Sequence, residues 1–177
     1  FCLQKKGIGL AYLDLGTGEF RVGECRDSRE LEDELIRLAP RECVLPQKLN
    51  RDMVRNFLKL QAPVLNDYED WIFDPAEARR RLLEQFRVVS LAGFGIDEIE
   101  PGIAAAGALL YYLRDNLKKS LAHVHGPLPM QNTRYMALDR QTIRNFELVS
   151  SASGDRQATL AGVLDRTVTP MGGRLIA

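Results

Sequence analysis

Asp14 is the strongest candidate for catalytic chemistry in the 177-residue sequence. It ends the apolar segment Ile8–Leu15, which predicts a buried strand, and the turn Gly16-Thr17-Gly18 follows it. A carboxylate in this position could hold Mg²⁺ for phosphoryl transfer, but two-metal chemistry needs several convergent carboxylates. No acid lies between residues 102 and 113 of the last long predicted helix, where a further ligand would be needed. The pattern therefore favours an Asp14 side chain that is solvated or bonds its own turn.

Other candidate sites have weaker patterns. His123 and His125 stand alone, with a valine between them and no adjacent cysteine, so a linker is favoured over a metal site. The spacings of a P-loop and of a nucleophile elbow are absent from the sequence. Trp71, close to other aromatic residues, could belong either to an exposed partner-binding patch or to a packing cluster.

Charge and composition exclude several classes of protein. The chain has 24 basic and 24 acidic residues, divided as 17 and 20 over residues 1–118 and 7 and 4 over residues 119–177. The larger part is therefore no general phosphate-binding module, whereas DNA binding by the basic tail stays open as an alternative. Three cysteines without a C-x-x-C pair are typical of a reduced, cytoplasmic protein. The longest nearly uncharged run, 101–113, is too short to span a membrane, and the residues after Phe1 do not form a signal peptide.

The first half of the chain alternates strands and helices. Residues 8–15 and 19–22 predict a hairpin, with Phe20 and Val22 pointing inward. Asp27 and Glu30 have the capping-box spacing at the start of a helix that Pro40 ends. Residues 42–45 and 62–65 predict short strands, and Asn50 could cap a helix between them.

The second half begins with two well-marked helices. Asp74-Pro75 predicts the start of a helix with Ala78, Leu82 and Phe86 inward and Arg79–Arg81 mostly outward. Because Glu77 and Glu84 lie on the same helix, we expect these arginines to form a mixed charged surface rather than a phosphate site. The helix from Pro101 to about residue 118 is apolar nearly all round and is predicted to be buried.

The remaining segments are shorter. The sequence predicts a linker over residues 121–129, a strand over 135–138 and a helix over 141–148. It predicts a polar loop over 150–154 and a further helix over 158–165. The whole pattern predicts an α/β domain with a mixed sheet, followed by elements too few to close a core alone.

Three stretches are specific enough to compare with known families: residues 9–14 with 18–20, residues 136–148, and residues 159–175. Together they resemble the MutS family of DNA mismatch-repair proteins, over essentially the whole chain. The resemblance implies an RNase H-like connector domain over residues 1–120, with helices flanking a mixed sheet. Residues 121–177 would be a linker and the truncated, mainly helical start of the core (lever) domain. Phe146 stands where the family prefers Leu, and both residues fill an apolar position.

The resemblance also implies a non-catalytic role. Such a connector couples mismatch binding to the ATPase and contributes to docking of the MutL protein. The family reads mismatched DNA with a Phe-x-Glu motif and hydrolyses ATP with a P-loop, and neither motif occurs in this sequence. We therefore expect no cofactor in this chain, which would be a fragment, and expect ATP and Mg²⁺ at another domain of a homodimeric parent protein.

The resemblance aligns the helix of the family that contacts MutL with Pro75–Phe86. Arg80, Arg81 and Gln85 are consequently the predicted partner-binding residues. The alternative is an RNase H-like, Mg²⁺-dependent nuclease or phosphotransferase that uses Asp14.

Overall fold

The computed structural model describes residues 2–4, 7–49, 63–117, 121, 123–130, 138, 140–149, 151 and 153–176. They form two compact units, Phe1–Met130 and Gln131–Ala177. The strands of the first unit are β1 (Cys2–Gln4), β2 (Gly7–Leu13), β3 (Phe20–Cys25), β4 (Glu42–Pro46), β5 (Val64–Tyr68) and β6 (Leu128–Pro129). Its α-helices are α1 (Ser28–Leu38), α2 (Pro75–Phe86) and α3 (Glu100–Leu117), and 3₁₀ turns cover Asp70–Phe73 and Ala92–Phe94.

The predicted hairpin is confirmed by antiparallel pairing of β2 with β3. Leu13 lies opposite Phe20 and Ile8 opposite Cys25. Phe20 and Val22 are buried, as their alternation with Glu19 and Arg21 predicts. Leu15, which was expected within the buried strand, is exposed because β2 ends at Leu13 and the turn begins before it.

Helix α1 begins where its capping box predicts. The Asp27 carboxylate accepts hydrogen bonds from the backbone N–H groups of Arg29 and Glu30. The Glu30 carboxylate reaches back to the backbone N–H of Arg26 at 2.8 Å. Ala39, in the left-handed conformation with φ 46°, ends the helix before Pro40.

The next two strands form a sheet of their own. β4 and β5 pair in parallel, while β1, β2, β3 and β6 form a four-stranded mixed sheet. The prediction of a strand over 42–45 is confirmed, whereas the strand predicted over 62–65 begins at Val64 and runs on to Tyr68. The helix predicted from Asn50 lies outside the described residues.

Helices cover both faces of the β2–β3 hairpin. On one face, Ile8 and Leu10 pack with Leu31 and Leu35 of α1. The opposite face packs against α2 and α3 through a larger cluster, which includes Phe20, Val22, Ala78, Leu82, Ile103 and Leu110. The predicted class, α/β with a mixed sheet flanked by helices, is therefore confirmed.

Helix α3 lies at the centre of the first unit, and residues 101–108 are all buried. Its small residues allow backbones to approach closely: a Cβ added to Gly107 would overlap the Cα and Cβ of Ala78 in α2. At the start of the helix, a Cβ on Gly9 of β2 would overlap the carbonyl of Pro101. The backbone of α3 thus packs directly against β2 and α2, without a side chain between them at Gly9 and Gly107.

The segment predicted as a linker, 121–129, belongs to the first unit. His125 donates its backbone N–H to the carbonyl of Gly18 at 2.9 Å, and Met130 donates to that of Val22 at 2.8 Å. Between them, β6 pairs in parallel with β3, opposite Arg21 and Val22. Prolines are tolerated in so short an edge strand because few ladder hydrogen bonds are required there. Two residues of this Pro- and Gly-rich segment, Leu128 and Pro129, thus form an edge strand of the sheet.

The second unit contains short helices: α4 (Arg140–Asn145), α5 (Leu160–Leu164) and α6 (Pro170–Ile176), with a 3₁₀ turn over Arg156–Ala158. α4 is shorter than the predicted 141–148 because Glu147 adopts φ 49° and ends the turn. The buried Thr159 caps α5 by accepting from the N–H of Gly162 at 3.0 Å. Leu160, Val163 and Leu164 are exposed, consistent with too few elements to close a core. Of the strand predicted over 135–138, residues 135–137 lie outside the described residues.

Within the described segments, no helix combines the length and the apolar character that crossing a membrane requires.

The close approach at Gly107 makes the first testable prediction. Gly107→Val places a branched side chain against Ala78, so we expect the free energy of unfolding to fall by about 2 kcal/mol. Urea unfolding followed by the fluorescence of Trp71, the single tryptophan, measures this. Gly93→Ala is the control, because a Cβ there meets nothing within 4 Å. Equal stability of Gly107→Val and the unmodified chain would contradict the packing described.

Candidate partner-binding surface

Asp14 is occupied by its own turn. Its carboxylate accepts hydrogen bonds from the backbone N–H groups of Gly16 at 2.6 Å and Thr17 at 3.2 Å. Gly18, at φ 74°, closes the turn by donating its N–H to the carbonyl of Asp14. This is an Asx turn, and of the two possibilities that the sequence left for a non-catalytic Asp14 it is the one in which the side chain bonds its own turn.

The other described residues do not support a metal site either. Among the residues that the structure describes, no three His, Cys, Asp or Glu side chains are grouped so as to hold a metal ion. His123 and His125 are both exposed, and the backbone of the segment, rather than its imidazoles, bonds the hairpin turn. The metal-dependent alternative that uses Asp14 therefore has no support in the structure.

The three consecutive arginines of α2 have three different environments. Arg79 forms an ion pair with the Asp97 carboxylate and donates to the Asp97 carbonyl at 2.7 Å, which ties α2 to the loop before α3. Arg80 is exposed and bridges the carboxylates of Glu77 and Glu84, each at 2.7 Å. The predicted outward orientation is thus confirmed for Arg80.

For Arg81 the predicted outward orientation was wrong. Its side chain is only 7% exposed and donates from Nη1 to the carbonyl of Ile72 at 2.7 Å. Its guanidinium carbon lies 5.4 Å from the centre of the Trp71 ring and 5.1 Å from that of Tyr111. Burial lowers the pKa of the guanidinium below its ordinary value. Contact with two aromatic faces and one carbonyl offsets part of that desolvation.

The burial of Arg81 could have been predicted from its position in the helix, although it stands in a run of three arginines. Position 81 follows Ala78 by three residues and precedes Leu82 by one, so it borders the buried stripe of α2. The 3₁₀ turn over Asp70–Phe73 immediately precedes α2 and supplies both Trp71 and the Ile72 carbonyl. A long side chain at this border can bury its stem and still reach a polar group.

Trp71 is both part of a packing cluster and partly exposed, the two possibilities that the sequence left open. Its ring packs edge-on against Tyr111 of α3, with centroids 5.6 Å apart, and its indole N–H donates to the Glu69 carboxylate. The side chain nevertheless remains 50% exposed. Trp71 is therefore a packed residue that still offers an aromatic face to another molecule.

Gln85 is half-buried and joins α2 to its neighbours. Its amide nitrogen donates to the carbonyl of Leu121 at 3.2 Å, and its amide oxygen accepts from Arg114 of α3 at 2.9 Å. Of the three predicted partner-binding residues, Arg80 is at the surface, while Arg81 and Gln85 are held by internal contacts.

An open groove of about 380 Å³ lies between α2 and α3. Six residues line it: Arg80, Arg81, Glu84, Tyr111, Arg114 and Asp115. Trp71 borders it through its contacts with Arg81 and Tyr111. We call this feature the α2–α3 groove.

The fold defines a mixed α/β domain whose helices cover both faces of a β-hairpin. Residues 1–125 match the family model described as MutS domain II. The chain belongs to the MutS family.

Relatives in this family match nearly the whole chain. The DNA mismatch repair protein MutS of Protochlamydia amoebophila is 41% identical over 173 residues, and that of Desulfosudis oleivorans is 41% identical over 172 residues. In each case the match covers 96% of this chain and 20% of the relative. The protein of the same name from Salinibacter ruber is 39% identical over 171 residues, or 19% of its length. The chain thus spans about a fifth of the length of these curated relatives.

The contrast between Arg80 and Arg81 can be tested directly. Arg81→Ala removes a charge-assisted hydrogen bond and two cation–π contacts, so we expect the free energy of unfolding to fall by about 2 kcal/mol. Arg80→Ala removes only exposed ion pairs and is expected to change it by less than about 0.5 kcal/mol. Urea midpoints of the two variants, measured side by side, compare them. Equal effects would show that Arg81 is not a structural residue.

Proposed function

We propose that this chain is the connector region of a mismatch-repair protein and that its α2 surface docks a MutL-like partner. In this role the chain is non-catalytic: it binds a partner and transmits its state to other parts of the parent protein. The connector domain would cover residues 1–120, and residues 121–177 would be the linker and the truncated start of the core domain. Membership of the MutS family supports the mismatch-repair setting.

The observation that carries the docking proposal is the composition of one exposed face. Trp71 is half-exposed, Tyr111 lines the neighbouring groove, and Arg80 lies at the surface of α2. Tryptophan, tyrosine and arginine are the residue types that dominate binding energy at protein interfaces. Here internal contacts already hold Trp71 and Tyr111 in place, so less side-chain entropy is lost on binding.

Rigidity of the first unit supports a role in coupling. Close backbone approaches join α3 to the sheet at Gly9 and to α2 at Gly107. A body packed in this way moves as a unit, so a displacement at one edge reaches the others. We propose that it connects mismatch binding to ATP hydrolysis at domains of the parent protein outside this chain.

The partners and cofactors of the parent follow from the same proposal. Mismatched DNA, ATP and Mg²⁺ would bind to those other domains, and the parent would act as a cytoplasmic homodimer. No cofactor is assigned to the residues of this chain.

Charge reversal at Arg80 tests the docking proposal. In the full-length parent protein bound to mismatched DNA and ATP, we expect Arg80→Glu to weaken binding of the MutL-like protein from the same organism about tenfold. The new carboxylate also stands beside Glu77 and Glu84 and concentrates negative charge on α2. Surface plasmon resonance measures the affinity, and binding of mismatched DNA should stay unchanged.

Arg29→Glu is the matched control for this test. Arg29 is an exposed arginine of α1, which packs on the opposite face of the β2–β3 hairpin. We expect its reversal to leave MutL binding unchanged. If Arg80→Glu and Arg29→Glu bind MutL equally well, α2 is not the docking surface.

A further inference from the structure

Three arginines and two acids line the α2–α3 groove, which leaves an excess of one positive charge in its lining. Arg80 is neutralised by two carboxylates of its own helix. In the part of the chain that the structure describes, neither Arg81 nor Arg114 forms an ion pair; Arg81 donates to a carbonyl and Arg114 to the neutral Gln85 amide. Of the two acids that line the groove, Glu84 already pairs with Arg80, and Asp115 accepts a hydrogen bond from the Tyr68 hydroxyl at 3.5 Å. Two guanidinium groups therefore line the groove without a carboxylate bound to either.

The placement of these two arginines suits an incoming anion. Arg81 is held against Trp71 and Tyr111, so its donors are fixed before anything binds. Arg114 is exposed on α3 and is oriented by its bond to Gln85. A planar guanidinium that is held in place loses little entropy when it binds a carboxylate. An exposed half of Trp71 adjoins them and could cover an apolar side chain next to that carboxylate.

We propose that the α2–α3 groove receives an aspartate or glutamate side chain of the partner protein, flanked by an apolar residue that packs on Trp71. This inference rests on the proposed function and adds the chemistry of the partner segment. The carboxylate binds between Arg81 and Arg114, where it supplies the negative charge that the lining lacks. Steering by the single excess positive charge of the lining would make the association sensitive to salt.

The test uses the full-length parent protein and the MutL-like protein of the same organism. We expect Arg114→Gln, which removes the charge but keeps a hydrogen-bonding side chain, to weaken binding about three- to tenfold. It should also reduce the dependence of the affinity on NaCl concentration. Arg114→Lys, which keeps the charge, should retain that salt dependence and most of the affinity. A merely structural role of Arg114 at Gln85 would leave the salt dependence unchanged in Arg114→Gln.

A second variant separates this inference from the docking proposal. Trp71→Ala should weaken binding of the MutL-like protein and Trp71→Phe should largely preserve it. If Arg80→Glu and Trp71→Ala weaken binding while Arg114→Gln changes neither affinity nor salt dependence, the surface docks the partner. In that case the proposed contact between a partner carboxylate and the two arginines is wrong. If none of these variants changes binding, docking at α2 itself is wrong. If Arg114→Gln weakens binding of mismatched DNA instead, the groove binds phosphate and the inference is overturned.

Discussion

The first unit depends on the close packing of the α3 backbone against both the sheet and α2. Gly9 and Gly107 permit that approach, because any side chain there would overlap Pro101 or Ala78. The helix is apolar nearly all round, so residues 101–108 are buried on every side. With α3 fixed in this way, the positions of α2, of the 3₁₀ turn before it and of the groove between the helices follow.

The same packing explains the unusual environment of Arg81. A guanidinium next to a tightly packed helix interface loses water, which is costly unless other groups interact with it. The Ile72 carbonyl and the rings of Trp71 and Tyr111 provide those interactions. In turn, the arginine holds Trp71 in place while half of that ring stays exposed. The Arg81 side chain therefore links the packing inside the domain to the exposed aromatic face of Trp71.

The sequence predicts the elements of this domain best where the signal is local. Capping by Asp27 and Asp74 fixes the starts of α1 and α2 within a residue, because each carboxylate satisfies N–H groups two and three positions ahead. Tertiary contacts decided the rest. The segment 121–130 has the composition of a linker, but its residues Leu128 and Pro129 pair with β3. Arg81 is a charged residue of a type usually found at the surface, but it is buried. Neither outcome follows from residue type, since both depend on what lies opposite.

The candidate site was predictable in part for the same reason. The sequence correctly predicts that Arg80 of α2 lies at the surface, and it predicts that Trp71 is either exposed or packed. The groove itself required Tyr111 and Arg114, which lie about thirty residues away in sequence and meet α2 only when α3 is buried.

Hydrogen–deuterium exchange of the full-length parent protein, with and without its MutL-like partner, tests the central claim most directly. If α2 and the turn before it form the docking surface, amides of residues 70–86 exchange more slowly when the partner is bound, while those of α1 are unchanged. Protection that appears elsewhere in the connector and leaves residues 70–86 unaffected would contradict the account.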